Sequence, residues 1–204
     1  MSEVIVKDIF STRFALFKNI ELNHNKILNE LKKLKFEEFK KLSYATTSIK
    51  LFKDMKYGSS LKEITDKYIK IAIEDYYEFK IKHNTVNCWG TKILPGGDSK
   101  IHNHIHFWLS FCYYPHGEKK DNFIIRFFTP HEGGFDIPEK RWNEANSRTW
   151  DVPVEKGDLI IFNSSLRHQI LQNTSNVDRY SIAGNILPVG KIGQKDSTVY
   201  LEGK

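Results

Sequence analysis

The chain has 204 residues, 40% hydrophobic and 13% aromatic, enough apolar surface for one domain with a sizeable core and too much for global disorder. A formal charge of +6 invites a nucleic-acid partner. However, Lys, Ile and Asn, residues with AT-rich codons, make up 61 of the 204 positions and only 6 of the 31 basic residues are Arg, so the excess reads as a solvated lysine surface and nucleic-acid binding is not expected.

No apolar run is long enough for a membrane span, and the start MSEVIVKDIF lacks a secretory pattern. Cys88 and Cys112 build no disulfide framework, so a reducing cytoplasmic setting is expected. Val4 to Phe17 is β-rich and predicts one or two opening strands. Asn23 can cap a helix running through Leu42, with Ile27, Leu28, Leu31, Leu34 and Phe39 as its apolar stripe. Ser59 or Ser60 can cap a second helix to about Lys82, and Ser60 and Glu63 have capping-box spacing. Leu61, Ile64, Tyr68, Ile71, Ala72 and Tyr76 line its apolar face. From residue 85 the pattern changes to short β-rich runs near 85–94, 100–115, 122–128, 149–154, 158–163, 167–172 and 178–187. Turn signals separate them: PGGD at 95–98, PHGEKKD at 115–121, EGG at 132–134, EKGD at 155–158 and QNTSN at 172–176. Seven or eight such strands suggest a sandwich or a jelly-roll barrel buttressed by the helices. No repeat, GxGxxG or phosphate loop occurs.

Three of the eight histidines fall within IHNHIHF. If this segment is a strand, His102, His104 and His106 share a face, and His102 with His104 can bind one metal with a third ligand from elsewhere. His168, after GDLIIFNSSLRH, is the best candidate for that ligand. The residues alone leave open that these are ordinary polar histidines. Arg179, Ser181, Ala183 and Asn185 share a face of RYSIAGN, 11 residues and more beyond His168. An inward guanidinium needs an anion, and its planar fork suits a carboxylate. The alternative for Arg179 is a surface charge beside Asp178. Cys112 reads as a small buried hydrophobe, and Trp108, Trp142 and Trp150 as core or as a substrate mouth. No Ser–His–Asp order is evident.

The sequence of motifs HxH, LSFCYY, GDLIIFNSSLRH and RYSIAGN, within about residues 85–188, resembles the Fe(II)- and 2-oxoglutarate-dependent oxygenases. In particular it resembles a prolyl-hydroxylase-like subgroup met in marine bacterial and phage genomes. That resemblance implies a double-stranded β-helix, or cupin-like jelly roll, with Fe(II) on His102, His104 and His168. It implies 2-oxoglutarate held by Arg179 with Ser181 beside it; Tyr113 or Tyr114 offers it a hydroxyl or packs in the core, and Asn185 is a further contact or a turn or strand-end residue. Matched to the family's spacing between its histidine pair and the Gly after Leu-Ser, the resemblance implies His102 and His104 over His104 and His106, with His106 beside the ligands or on the substrate side. The sequence departs from the family twice. No carboxylate stands at the second ligand position, so His104 fills it, a residue such as Asp98 arrives from the preceding turn, or the position is open. Phe111 replaces a usual Gly and is expected to crowd one face of the barrel.

The chain is therefore expected to be one oxygenase domain. Residues 1–84 form an opening strand and buttressing helices, 85–188 the jelly-roll core and 189–204 a tail. Its expected activity is hydroxylation of a small-molecule or peptide substrate with release of succinate and CO2. The alternatives are a cupin-like three-His metalloenzyme without 2-oxoglutarate and a non-enzymatic jelly-roll binding module.

Overall fold

The structure, a computed structural model, describes residue 5 and residues 11–130 and 137–203. The expected turn at 132–134 and residues 4 and 6–10 of the opening β-rich run lie outside them. Of that run the structure shows β1 (Phe14–Phe17). Helix α1 (His24–Leu31) starts where expected, with the Asn23 side chain accepting from the Lys26 N–H at 3.1 Å. It ends early, and the rest of the anticipated helix is a hairpin of β2 (Phe36–Lys40) and β3 (Ser43–Thr46). Leu42 turns that hairpin with φ +64, a conformation no helix contains. Phe39, assigned to the apolar stripe, is 48% exposed.

The second helix begins earlier than expected, as α2 (Leu51–Asp54) followed by α3 (Gly58–Ile71). Tyr57 is the N-cap and makes no side-chain cap bond, so the serine capping box is not used. Gly58 is required because a Cβ there would meet the Phe52 carbonyl oxygen at 2.3 Å. The helix then relaxes into a π turn, Ala72–Tyr76, short of Lys82.

The remaining strands are β4 (Lys82–Ile93), β5 (Leu109–Tyr113), β6 (Ile124–Phe128), β7 (Thr149–Pro153), β8 (Leu159–Asn163), β9 (His168–Ile170), β10 (Arg179–Ile192) and β11 (Val199–Leu201). Strand β10 runs past its expected end and pairs with β11 inside the anticipated tail. The long strand expected over 100–115 is instead an irregular segment leading into β5.

All pairings between these strands, among the described residues, are antiparallel. The large sheet has the order β1-β8-β5-β10-β4-β3-β2, with β11 on β10, and the small sheet has the order β7-β6-β9. The fold is a mainly β jelly roll, and its two sheets are not closed into a continuous barrel. Both faces of the large sheet are covered. On one, Ile27 and Leu31 of α1 with Leu61 and Ile69 of α3 pack on Phe111, Tyr113, Ile161 and Ile182. On the other, Cys112, Tyr114, Ile160 and Phe162 face Ile125, Phe127 and Val152 of the small sheet. Strand alternation therefore decides which side chains enter the space between the sheets. No helix among the described residues is long and apolar enough to cross a membrane.

Candidate active site

His102, His104 and His168 come together at one end of the inter-sheet space, their ligand atoms all within 4.8 Å of one another. His168 opens β9, and His102 forms an isolated antiparallel bridge to it through reciprocal backbone hydrogen bonds of 3.0 and 2.9 Å. The HxH segment is thus no strand, and the rings converge by a different route from face alternation. The bridge fixes His102, while the His104 N–H donates to the Ser164 carbonyl at 2.7 Å in the turn that carries His168. Ring centroids lie 4.3 Å apart for His102–His168, 5.2 Å for His102–His104 and 5.3 Å for His104–His168.

The tautomers suit metal binding. His168 Nδ1 lies 3.0 Å from the Leu166 carbonyl and His102 Nδ1 lies 2.8 Å from that of Lys100. A carbonyl only accepts, so in both rings Nδ1 carries a proton, which leaves Nε2 as the atom that can face a metal. Burial, then the charge of His102, lowers the pKa of His104 to about 4 and that of His168 to about 3. Both rings are therefore neutral near pH 7.

Asp98 is not part of the cluster. Its carboxylate pairs with Lys40 and its carbonyl accepts from Ser43, tying it to the β2–β3 hairpin. His106 is exposed and outside the cluster. Among the described residues this set is three imidazoles without a carboxylate.

Arg179, Ser181 and Asn185 share the inter-sheet face of β10, as the alternation predicts. Arg179 is 1% exposed. Its Nη1 donates to the Ile124 carbonyl at 2.9 Å, whereas Nε and Nη2 are buried with no partner. In a planar guanidinium those two N–H groups point the same way, forming the edge that takes a carboxylate through two parallel hydrogen bonds. The guanidinium is stacked between Tyr114 and Phe123, 5.3 and 5.2 Å from their ring centres. The Tyr114 hydroxyl is also buried without a partner. Leaving such donors unpaired costs about 1–3 kcal/mol apiece, so an anionic ligand fits this corner. Ser181 Oγ lies 2.5 Å from Thr91 Oγ1.

Asn185 faces the same space, but its Oδ1 accepts from Ser110 at 2.8 Å, and Ser110 in turn contacts Ser164 at 2.8 Å. That network ends at the backbone that holds His104.

Two expectations need correction. Tyr113 points to the helical side of the sheet, where its hydroxyl meets His24 Nδ1 at 2.6 Å. Tyr114, one residue on, takes the place beside Arg179. Phe111 does not crowd the inter-sheet space, because it too lies on the helical side, stacked on Phe52 and opposite Gly184. A Cβ on Gly184 would meet its ring at 2.5 Å, so the glycine of RYSIAGN makes room for this Phe.

Cys112 is buried and free. Trp142 stacks on Trp150 at 4.4 Å and Trp108 packs edge-on against Phe79.

Three solved structures of similar fold span nearly the whole chain. HygX from Streptomyces hygroscopicus, with nickel and 2-oxoglutarate bound, has a TM-score of 0.66 at 11% identity, covering 95% of this chain and 93% of that one. The 2-oxoglutarate-dependent carbocyclase SnoK from nogalamycin biosynthesis has a TM-score of 0.64 at 10% identity, covering 95% and 84%. A Pseudomonas putida prolyl-4-hydroxylase has a TM-score of 0.60 at 14% identity, covering 88% and 94%. At these identities the likeness carries the fold alone. A search of curated proteins gave no match. The family model described as "Putative 2OG-Fe(II) oxygenase" matches residues 87–185, the segment that holds all three histidines and Arg179. It is thus residues 87–185, just under half of the chain, that are similar to the 2-oxoglutarate- and Fe(II)-dependent oxygenases, oxidoreductases that take Fe(II) and 2-oxoglutarate.

Proposed function

We propose that the protein hydroxylates a small-molecule or peptide substrate, converting 2-oxoglutarate and O2 to succinate and CO2. His102, His104 and His168 hold the iron in this reading. Arg179 binds the distal carboxylate of 2-oxoglutarate through its free edge, with Ser181 and the Tyr114 hydroxyl beside it. Bound iron and 2-oxoglutarate together supply the oxygen-activating chemistry. The protein contributes the inter-sheet space, three clustered imidazoles and a buried cation that faces the same space. Asn185 acts through Ser110 and Ser164 on the loop of His104, not by touching the cosubstrate. The single-domain division stated above is part of the same proposal.

One observation carries this reading: a fully buried arginine with an empty carboxylate-binding edge faces the same space as the three histidines. Small molecules are plausible substrates in chemical terms, since HygX has been seen with hygromycin B and the epimerase SnoN with nogalamycin RO.

The test is an anaerobic titration of the protein with Fe(II) and then 2-oxoglutarate, watching for a weak visible charge-transfer band. The band is expected only when both are present. Iron binding without 2-oxoglutarate binding would replace this reading with the cupin-like three-His metalloenzyme. Absence of iron binding would leave a jelly-roll binding module.

A further inference from the structure

We infer that His116 is a positioning residue for the Arg179 clamp, an inference that rests on the proposed role of Arg179. Strand β5 ends at Tyr113, paired with Ile182 of β10, and the chain turns away at Pro115. Tyr180, the next residue of β10 whose N–H points to that side, has lost its ladder partner. The half-buried His116 replaces it, with Nε2 accepting the Tyr180 N–H at 2.9 Å. An accepting Nε2 requires the proton on Nδ1.

The same ring meets Phe123 edge-on at 5.7 Å, and Phe123 carries the Arg179 guanidinium on its face. His116 therefore holds the clamp twice, through the backbone next to Arg179 and through the aromatic wall behind it. The turn is shaped for this contact. Gly117 has φ +123, and a Cβ there would strike the Phe123 ring at 2.8 Å, so only glycine lets the two side chains meet. Arg179 has one other polar anchor, Nη1 on the Ile124 carbonyl. Loss of the Tyr180 bond frees the first residues of β10, where the free edge has to be aimed.

The experiment compares His116→Leu with His116→Gln, whose carboxamide oxygen reaches the Nε2 position. Iron and 2-oxoglutarate affinities are measured anaerobically from the visible band and by calorimetry. His116→Leu should weaken 2-oxoglutarate about three- to tenfold, as expected for one hydrogen bond, and should leave Fe(II) affinity unchanged. His116→Gln should restore 2-oxoglutarate to within about twofold of the starting protein. In an Arg179→Met background, His116→Leu should have no further effect, because the two act as one unit. If His116→Leu does not fold, His116→Asn takes its place, being one carbon too short to reach Tyr180. Equal 2-oxoglutarate affinities for the Gln and Leu (or Asn) variants would overturn the inference, as would an equal loss of iron. So would an undiminished effect in the Arg179→Met background. If the unmodified protein binds iron but not 2-oxoglutarate, it is the oxygenase reading that fails.

Discussion

Two arginines, both on strands of the jelly roll, stand in opposite situations. Arg126, on the outer face of β6, presents Nε and Nη2 to the Asp151 carboxylate across the strand pair at 2.6 and 2.7 Å. Arg179, on the inner face of β10, has the same edge buried and empty. The first side chain is about a third exposed and the second hardly at all. A solvated, paired arginine is worth little to stability, about 0.2–1 kcal/mol. A desolvated arginine without an anion is a cost the fold bears, and binding of the right anion relieves it. Arg126 shows in this same protein the contact proposed between Arg179 and its ligand.

The largest expected effect tests what that ligand is anchored to at its other end. His168→Ala, or His102→Ala, should remove most Fe(II) binding, well beyond the roughly 10–100-fold seen when a ligand's supporting partner is lost. Calorimetry under anaerobic conditions checks it, and wild-type iron affinity in His168→Ala would remove His168 from the ligand set.

Next in size, Arg179→Met should still load iron yet lose at least about tenfold in 2-oxoglutarate affinity. Lys at 179 should recover only part of it, because an ammonium cannot make the two-pronged contact. Unchanged succinate formation by the Met variant at limiting 2-oxoglutarate would refute the clamp.

The stability of the ligand-free protein sharpens the contrast. Arg179→Met removes two unpaired buried donors, so without 2-oxoglutarate its Tm should be equal to or above that of the starting protein. The rise in Tm that saturating 2-oxoglutarate gives the starting protein should be absent from the variant. A clear fall in the Tm of the ligand-free variant would mean that Arg179 is a structural group.

Arg126→Met is the matching control. It should cost no more than about 1 kcal/mol, less at high salt, and leave 2-oxoglutarate binding alone. Smallest of all, His106→Ala should leave Fe(II) binding essentially unchanged. The reverse ranking of His106 and His102 would show that the ligand pair is His104 and His106.

Much of this was legible in the residues. The Asn23 cap, strand β4, strands β6 to β9 and the inward set Arg179, Ser181 and Asn185 follow from local chemistry and a period of two. What misled was a periodic pattern with no partner in view. Residues 32–42 carry a helical stripe, but β3 gains more by pairing with β4, and Leu42 turns the chain back. IHNHIHF alternates like a strand, yet only His102 finds a bridge.

By itself, the sequence determined most of the β half's strands and their order, the candidate residues for a metal and for a carboxylate, and which neighbours on one strand share a face. Only the tertiary structure decided which face looks inward. Both sides of the large sheet are buried, under helices on one and the small sheet on the other, so hydrophobicity marks neither as the active one. Tyr113 and Tyr114 are equally buried for that reason, and the register of β5 against β10 alone sends Tyr114 to Arg179 and Tyr113 to His24. The empty edge of Arg179 is likewise a tertiary fact, because whether a guanidinium has found an anion depends on every strand packed around it.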